Sequence, residues 1–234
     1  MKLSIIVPVY NEEKTILPVL ESLEKLNIPS VSKEVLVVDD GSTDSTRKKL
    51  QSVKNFKIIL HEKNGGKGQA VKTGIKNATG DYIIIQDADL EYDPNFIKEL
   101  IKPILENEAK VVYGTRLKRM PHLSREENRF QFLLHYFGNR FLSLVTSVLY
   151  GQWLTDMETC YKLFPKNALN GVKLNARGFE LEPEITAKLL KKGYKIMEVP
   201  ITTKPRGYEE GKKLHTVRDG TKALWSLVKY RITD

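Results

Sequence analysis

The sequence predicts an α/β fold, with a mostly parallel sheet flanked by helices and amphipathic helices in the C-terminal half. Three observations predict it. Short apolar runs alternate with helix-spaced segments through the first half of the 234-residue chain. Those runs are continuously apolar rather than alternating, as in strands covered on both faces. Polar clusters rich in Gly, Asp and Asn follow the runs, at the strand ends where ligands bind in such sheets.

Taken in order, Leu3–Val9 reads as a buried strand. Over 13–26, Ile16, Leu17, Leu20, Leu23 and Leu26 recur at helical spacing. Glu34–Asp39 is a second strand, followed by a helix from about Thr43 with Ser42 as its N-cap. Phe56–Leu60 is a third strand, Lys67–Ala78 a helix and Asp81–Gln86 a fourth strand. Asp93-Pro94 opens another helix, with Pro in its first turn, and Lys110–Tyr113 is a fifth strand. Beyond this point a basic stretch (Arg116, Lys118, Arg119, Arg125, Arg129) leads into an apolar-aromatic helix over 130–150. A helix at 180–192, a strand at 195–201, a polar loop at 204–213 and a helix from Val217 to Tyr230 complete the chain. No internal repeat, low-complexity linker or domain break interrupts it, so the expectation is one domain over 1–234.

Composition narrows the function classes. The chain is 41% hydrophobic and 29% charged, as ordinary globular proteins are. Its single cysteine, Cys160, excludes an internal disulfide and points to a reducing compartment. A net charge of +9 suits nucleic acid, anionic lipid or phosphorylated ligands, though solubility alone also accounts for it. The N-terminus lacks the pattern of a signal peptide. No stretch reaches the roughly 18 apolar residues of a spanning helix, so membrane contact is expected to be peripheral.

The loops after the strands carry the candidate chemistry. The first strand runs into Pro8-Val9-Tyr10-Asn11-Glu12-Glu13, which is not a glycine-rich dinucleotide turn and removes the main support for nicotinamide or flavin binding. Acidic residues there also suit a helix start. Asp39 and Asp40 end the second strand ahead of Gly41 and Ser42; they could read a nucleobase or ribose edge, or cap a helix. Asn64-Gly65-Gly66-Lys67-Gly68 offers backbone amides and a lysine to an anion, or forms a tight turn, and it is not a Walker A sequence. The fourth strand is very apolar and ends in Gln86-Asp87-Ala88-Asp89-Leu90-Glu91. On an extended segment, Asp87, Asp89 and Glu91 point the same way. Three converging carboxylates need a cation, and oxygen-only ligands favour Mg²⁺ or Mn²⁺, which bind diphosphates and stabilise a departing one. A solvated acidic loop is the alternative.

In this order, Pro8–Glu12, Val38–Asp44, Asn64–Gly68, Asp87–Asp89 and Gly114-Thr115-Arg116 resemble the motifs of family 2 glycosyltransferases with the Rossmann-like GT-A fold. The nearest branch resembles the dolichyl-phosphate mannose and polyprenyl-phosphate sugar synthases. Gly138-Asn139, residues 156–164 and 206–213 extend the match over nearly the whole chain. The resemblance implies a nucleotide-sugar-binding half over 1–115 and an acceptor-binding, membrane-facing half over 116–234. It implies that Pro8, Tyr10, Glu12, Asp39, Asp40, Lys67 and the run Asp87-Ala88-Asp89 bind the nucleotide sugar. Asp87, Asp89 and Glu91 would hold Mg²⁺ or Mn²⁺. Asp87, Asp89 and Arg116 would act in catalysis, and Arg116, Arg206 and Lys212 would hold phosphates. The implied reaction is inverting transfer of a hexose from a nucleotide diphosphate sugar, of the GDP-mannose or UDP-glucose type, to polyprenyl or dolichyl phosphate. Three departures weaken the transfer of donor and acceptor identity: Glu91 stands where those synthases often have Gln, Cys160 where they often have Gly, and 206–213 differs from their R-x-x-G-x-S-K form.

In 130–150, Phe130, Leu133, Leu134, Phe137, Phe141, Leu144, Val145 and Val148 recur at helical spacing among Arg125, Arg129 and Arg140. This helix lies either in a membrane headgroup layer or against the core. The final helix, with Leu224, Trp225, Leu227 and Val228 beside Lys222, Lys229 and Arg231, poses the same choice. The expectation is peripheral attachment at the cytoplasmic face of a membrane. Because relatives often continue into spanning helices where this chain stops, docking to a separate membrane protein is also expected. Transfer to a glycan or glycolipid hydroxyl, with Glu182 or Glu158 as base, is the competing enzymatic reading. A nucleotidyltransferase lacks its glycine-rich signature here. A nucleic-acid binder rests on charge alone, without an RNA-recognition or helix-turn-helix signature, so nucleic acid is not an expected partner.

Overall fold

The computed structural model describes residues 1–116, 129–204, 206 and 216–233. Its elements are β1 (Lys2–Val9), α1 (Ile16–Lys25), β2 (Ser32–Asp39), α2 (Thr46–Gln51), β3 (Lys57–Leu60), α3 (Lys67–Asn77), β4 (Tyr82–Ile85), α4 (Phe96–Leu105), β5 (Val111–Thr115), α5 (Arg129–Tyr150), β6 (Lys162–Pro165), α6 (Leu181–Lys191), β7 (Ile196–Pro200) and α7 (Thr216–Ile232). They form a seven-stranded sheet in the order β3-β2-β1-β4-β6-β5-β7. β3, β2, β1 and β4 run parallel, as do β5 and β7, while β6 is antiparallel to both of its neighbours. The sheet is thus mostly parallel, as its apolar runs predict. The sequence reading misses β6. Its four residues, Lys-Leu-Phe-Pro, are too short and too mixed to register as a strand.

From β1 the chain steps outward to β2 and β3, then returns to the other side of β1 as β4. That reversal is the topological switch point of an open sheet. It brings the segment after β1, with Glu12, beside the segment after β4, with Asp89.

One core cluster joins both faces of the sheet, from Leu3, Ile5 and Val7 on β1 to Tyr161 and Phe164, Leu181 on α6 and Ile201 beyond β7. Helix α3 lies directly on β1. A Cβ at Gly74 would come within 2.4 Å of Ile6 Cγ2, so this close approach needs a glycine. Helix α2 begins at Thr46, three residues later than expected, and Ser42 does not cap it. The Ser42 hydroxyl instead accepts the Asn11 N–H at 2.9 Å, and Asp44 takes the Thr46 N–H at 2.9 Å. The turns after β1 and β2 are thereby tied together.

Glu34 on β2 splints three segments. It accepts hydrogen bonds from the Ser4 hydroxyl and from Thr79 and Gly80, and it pairs with Lys2 at 3.1 Å. Burial pushes its pKa up, but the bonds from Ser4, Thr79 and Lys2 outweigh burial and hold it down at about 2, below its ordinary 4.5. A depressed carboxyl pKa stabilises the fold above the ordinary value, and this contribution is lost as pH falls from 4.5 toward 2. Glu34→Gln is expected to cost about 1–3 kcal/mol at neutral pH and to flatten the acid limb of the stability curve. Urea unfolding across that pH range checks both.

Helix α5 presents two apolar faces. Leu142, Val145 and Leu149 pack with Met157 against Ala223, Leu224 and Leu227 of α7, and the Tyr150 hydroxyl donates to the Leu227 carbonyl. Phe137, Phe141, Leu144 and Val148 form a separate stripe that stays exposed. Among the α5 residues whose side chains are described, one stripe packs against α7 and the other faces out; Phe130, Leu133 and Leu134 lie outside them. Trp225 of α7 is exposed as well, while Leu227 is buried.

Candidate active site at the sheet switch point

The strand ends assemble the site, and in several places the protein satisfies its own groups. Asp39 is fully buried and takes Arg47 Nε at 2.6 Å. Asp40 accepts the Gly66 N–H at 2.7 Å and the Gly65 N–H at 3.1 Å, and it lies 2.8 Å from His61 Nδ1. The glycine amides offered to an anion thus do bind one, and it is the Asp40 carboxylate. Asp40 organises the loop from inside. Pro8 is buried in β1 opposite Val38, and Tyr10 is half-buried just beyond the strand.

The extended backbone expected for Asp87, Asp89 and Glu91 is not what the structure shows. β4 ends at Ile85, residues 88–90 form a turn, and Leu90 has φ of 64°. Without extended backbone, the alternation that would point the three carboxylates one way is absent. Among the described residues, no three such groups stand ready to hold a metal. Asp87 pairs with Lys67 Nζ at 2.8 Å. Lys67 also lies 3.3 Å from Glu182, whose other oxygen is 2.9 Å from Lys162 Nζ. This ladder of alternating charges, buried at its Glu182–Lys162 end, is mutually compensating. Burial raises the Asp87 pKa, but Lys67 outweighs it and holds the carboxyl below its ordinary value.

Asp89 belongs to a second group. Arg206 reaches over the sheet edge with both Nη atoms on Glu12, at 3.0 and 3.1 Å, and with Nη2 on Asp89 at 3.0 Å. Its backbone N–H donates to Glu91 at 3.2 Å. Burial, with the Asp87 and Glu91 charges, raises the Asp89 carboxyl to about 7 despite Arg206. Three carboxylates therefore surround one cationic side chain, and their oxygen donors suit a hard divalent cation.

Arg116 follows β5 and forms a two-pronged pair with fully buried Asp156, with Nε and Nη2 each at 2.7 Å. Ala88 is buried beneath the turn. Lys212, Lys118, Arg119 and Arg125 lie outside the described residues. The sequence reading left Asp156 and Lys162 without site roles. Both stand in the 156–164 stretch that carries the resemblance, which assigns a role to neither.

Residues 4–171 match the model of Glycosyl transferase family 2. The chain belongs to glycosyl transferase family 2. This glycosyltransferase is 32% identical over 220 residues to the UDP-N-acetylglucosamine–dolichyl-phosphate N-acetylglucosaminyltransferase of Methanococcus voltae, covering 85% of this chain and 84% of that one. It is 28% identical over 218 residues to glycosyltransferase AglJ of Haloferax volcanii, covering 92% of this chain and 67% of the relative. Its fold matches that of glucosyl-3-phosphoglycerate synthase from Mycobacterium tuberculosis, crystallised with Mn²⁺, uridine diphosphate and phosphoglyceric acid. The TM-score is 0.74 at 19% identity, over 98% of this chain and 78% of that one. The GT-A expectation therefore holds for the fold. No helix among the described residues is long and apolar enough to cross a membrane.

Proposed function

We propose that this family 2 glycosyltransferase moves a hexose, with inversion, from a nucleotide diphosphate sugar of the GDP-mannose or UDP-glucose type to polyprenyl or dolichyl phosphate, using Mg²⁺ or Mn²⁺. The carrying observation is the ring of Glu12, Asp89 and Glu91 around the Arg206 guanidinium at the switch point of the sheet. The dolichyl-phosphate relative supports the acceptor class. A divalent ion held by Asp89 and Glu91 would neutralise the departing diphosphate.

The remaining work falls to the side chains. A lipid monophosphate is already an anionic nucleophile at neutral pH, so alignment and charge stabilisation suffice without a strong base. Lys67 keeps Asp87 ionised and fixed for hydroxyls of the donor. Arg206, released from the carboxylates, becomes a phosphate ligand. The exposed stripe of Phe137, Phe141, Leu144 and Val148, next to Arg140, supports attachment to an anionic membrane surface.

Incubation with labelled sugar nucleotides, polyprenyl phosphate in detergent and Mg²⁺ or Mn²⁺ tests the reading. An acid-labile lipid phosphosugar is the expected product. A base-stable glycan would instead establish hydroxyl transfer, for which Glu158 is the better-suited base: burial raises its carboxyl to about 7, whereas Glu182 is held between two lysines. Arg206→Ala is expected to tighten Mn²⁺ binding by about tenfold, since the competing cation is gone, while transfer falls. Calorimetric titration of the metal decides it, and unchanged affinity would show that Arg206 does not compete for these carboxylates.

A further inference from the structure

Arg116 is fixed from several sides. Asp156 takes its Nε and Nη2 hydrogens and also its backbone N–H at 2.9 Å. The Tyr92 ring lies against the guanidinium, its centroid 5.9 Å from Cζ. A guanidinium has five donors. The Nη1 pair makes no hydrogen bond to the described residues, and the side chain keeps 23% exposure.

Asp156 is itself held from outside the site. Glu198, on edge strand β7 beside Tyr113 of β5, accepts the Asp156 N–H at 3.0 Å and the Thr155 N–H at 2.9 Å. It also accepts the Thr155 hydroxyl at 3.0 Å, and that hydroxyl lies 2.7 Å from the Thr115 hydroxyl, one residue before Arg116. One carboxylate thus grips the turn whose next side chain grips Arg116.

We propose that Glu198 is a positioning residue for Arg116: by setting the Thr155–Asp156 turn, it holds the Nη1 edge toward a phosphoryl oxygen of donor or acceptor. The inference rests on the proposed function for the presence of a phosphate ligand. Without Glu198 the turn loses its acceptor, Arg116 regains rotamer freedom, and phosphate binding must then order it.

The test compares the full-length wild type, Glu198→Ala and Glu198→Gln. It measures dissociation constants for UDP and uridine, and for GDP and guanosine, with Mn²⁺ present, and the KM for polyprenyl phosphate. Glu198→Ala is expected to weaken a phosphate ligand by about tenfold and leave nucleoside binding unchanged. A change in the diphosphate constant assigns Arg116 to the donor, and a change in the lipid KM assigns it to the acceptor. Glu198→Gln is expected to stay within about twofold of wild type, because its amide oxygen can accept the same two N–H groups. If Glu198→Ala does not fold, Asp156→Asn is expected to show the same split. The proposal is overturned if phosphate ligands are unaffected, if nucleosides weaken equally, if Glu198→Gln behaves as Glu198→Ala, or if the wild type binds no phosphate ligand. Should the wild type transfer no sugar while the split between UDP and uridine still follows Glu198, the proposed function fails and the positioning role stands.

Discussion

Asp89→Ala is expected to lower glycosyl transfer by about a thousandfold, the largest loss anticipated for one side chain at this site. Asp89 sits where the segments after β1 and β4 meet, and it already holds the cationic end of Arg206 at 3.0 Å. Its replacement removes a tether for Arg206 and, on the proposed function, an oxygen donor for the ion. Binding of the nucleoside diphosphate is expected to persist but to lose its dependence on Mn²⁺, which separates a site defect from unfolding. The pH profile carries a sign of its own. Burial and neighbouring charges raise the Asp89 carboxyl to about 7, so below that pH it is protonated and a poor ligand. Metal affinity is therefore expected to rise with pH up to about 7 and then level off. Steady-state transfer with labelled donor, with and without metal, reads the first effect, and manganese titration at several pH values reads the second. A variant that keeps most of its metal-dependent turnover would remove Asp89 from the chemistry.

Gly66→Ala is expected to give the largest stability loss, about 3 kcal/mol or more. Gly66 has φ of +93°, a conformation costly for any side chain, and an added Cβ would lie 2.3 Å from the Arg177 carbonyl oxygen. That oxygen already accepts the Gly68 N–H at 2.7 Å, so it cannot simply move aside. The strain falls on the loop whose amides hold Asp40, and the turn after β2 loosens with it. Chemical denaturation of both proteins measures the loss, and an unchanged midpoint would mean that this loop is not held as described.

The apolar runs show where the sheet comes from: Leu3–Val9, Glu34–Asp39 and Asp81–Gln86 all read as buried strands, and β1, β2 and β4 lie there. Their central residues are buried, so hydrophobicity alone marks them. The last helices are legible for the same reason. The segments whose local signal misleads are short or polar. Ser42 looked like a cap because hydroxyls commonly cap helices, yet it serves the Asn11 N–H thirty-one residues away in sequence. The Asp87–Glu91 run looked extended because its strand is so apolar, yet a turn with Leu90 at positive φ redirects the carboxylates.

By itself, the sequence determined the α/β class, the parallel character of the sheet and the resemblance to family 2, because strand burial and loop motifs are local in sequence. Only the tertiary structure decided which charges meet. Asp87 faces Lys67 and Asp89 faces Arg206, and Arg116 is tied through Asp156 to Glu198. The physical reason is that charged groups at a strand end take whichever opposite charge the topology brings near. Here those partners come from segments as far as 194 residues away in the chain, as Arg206 is from Glu12.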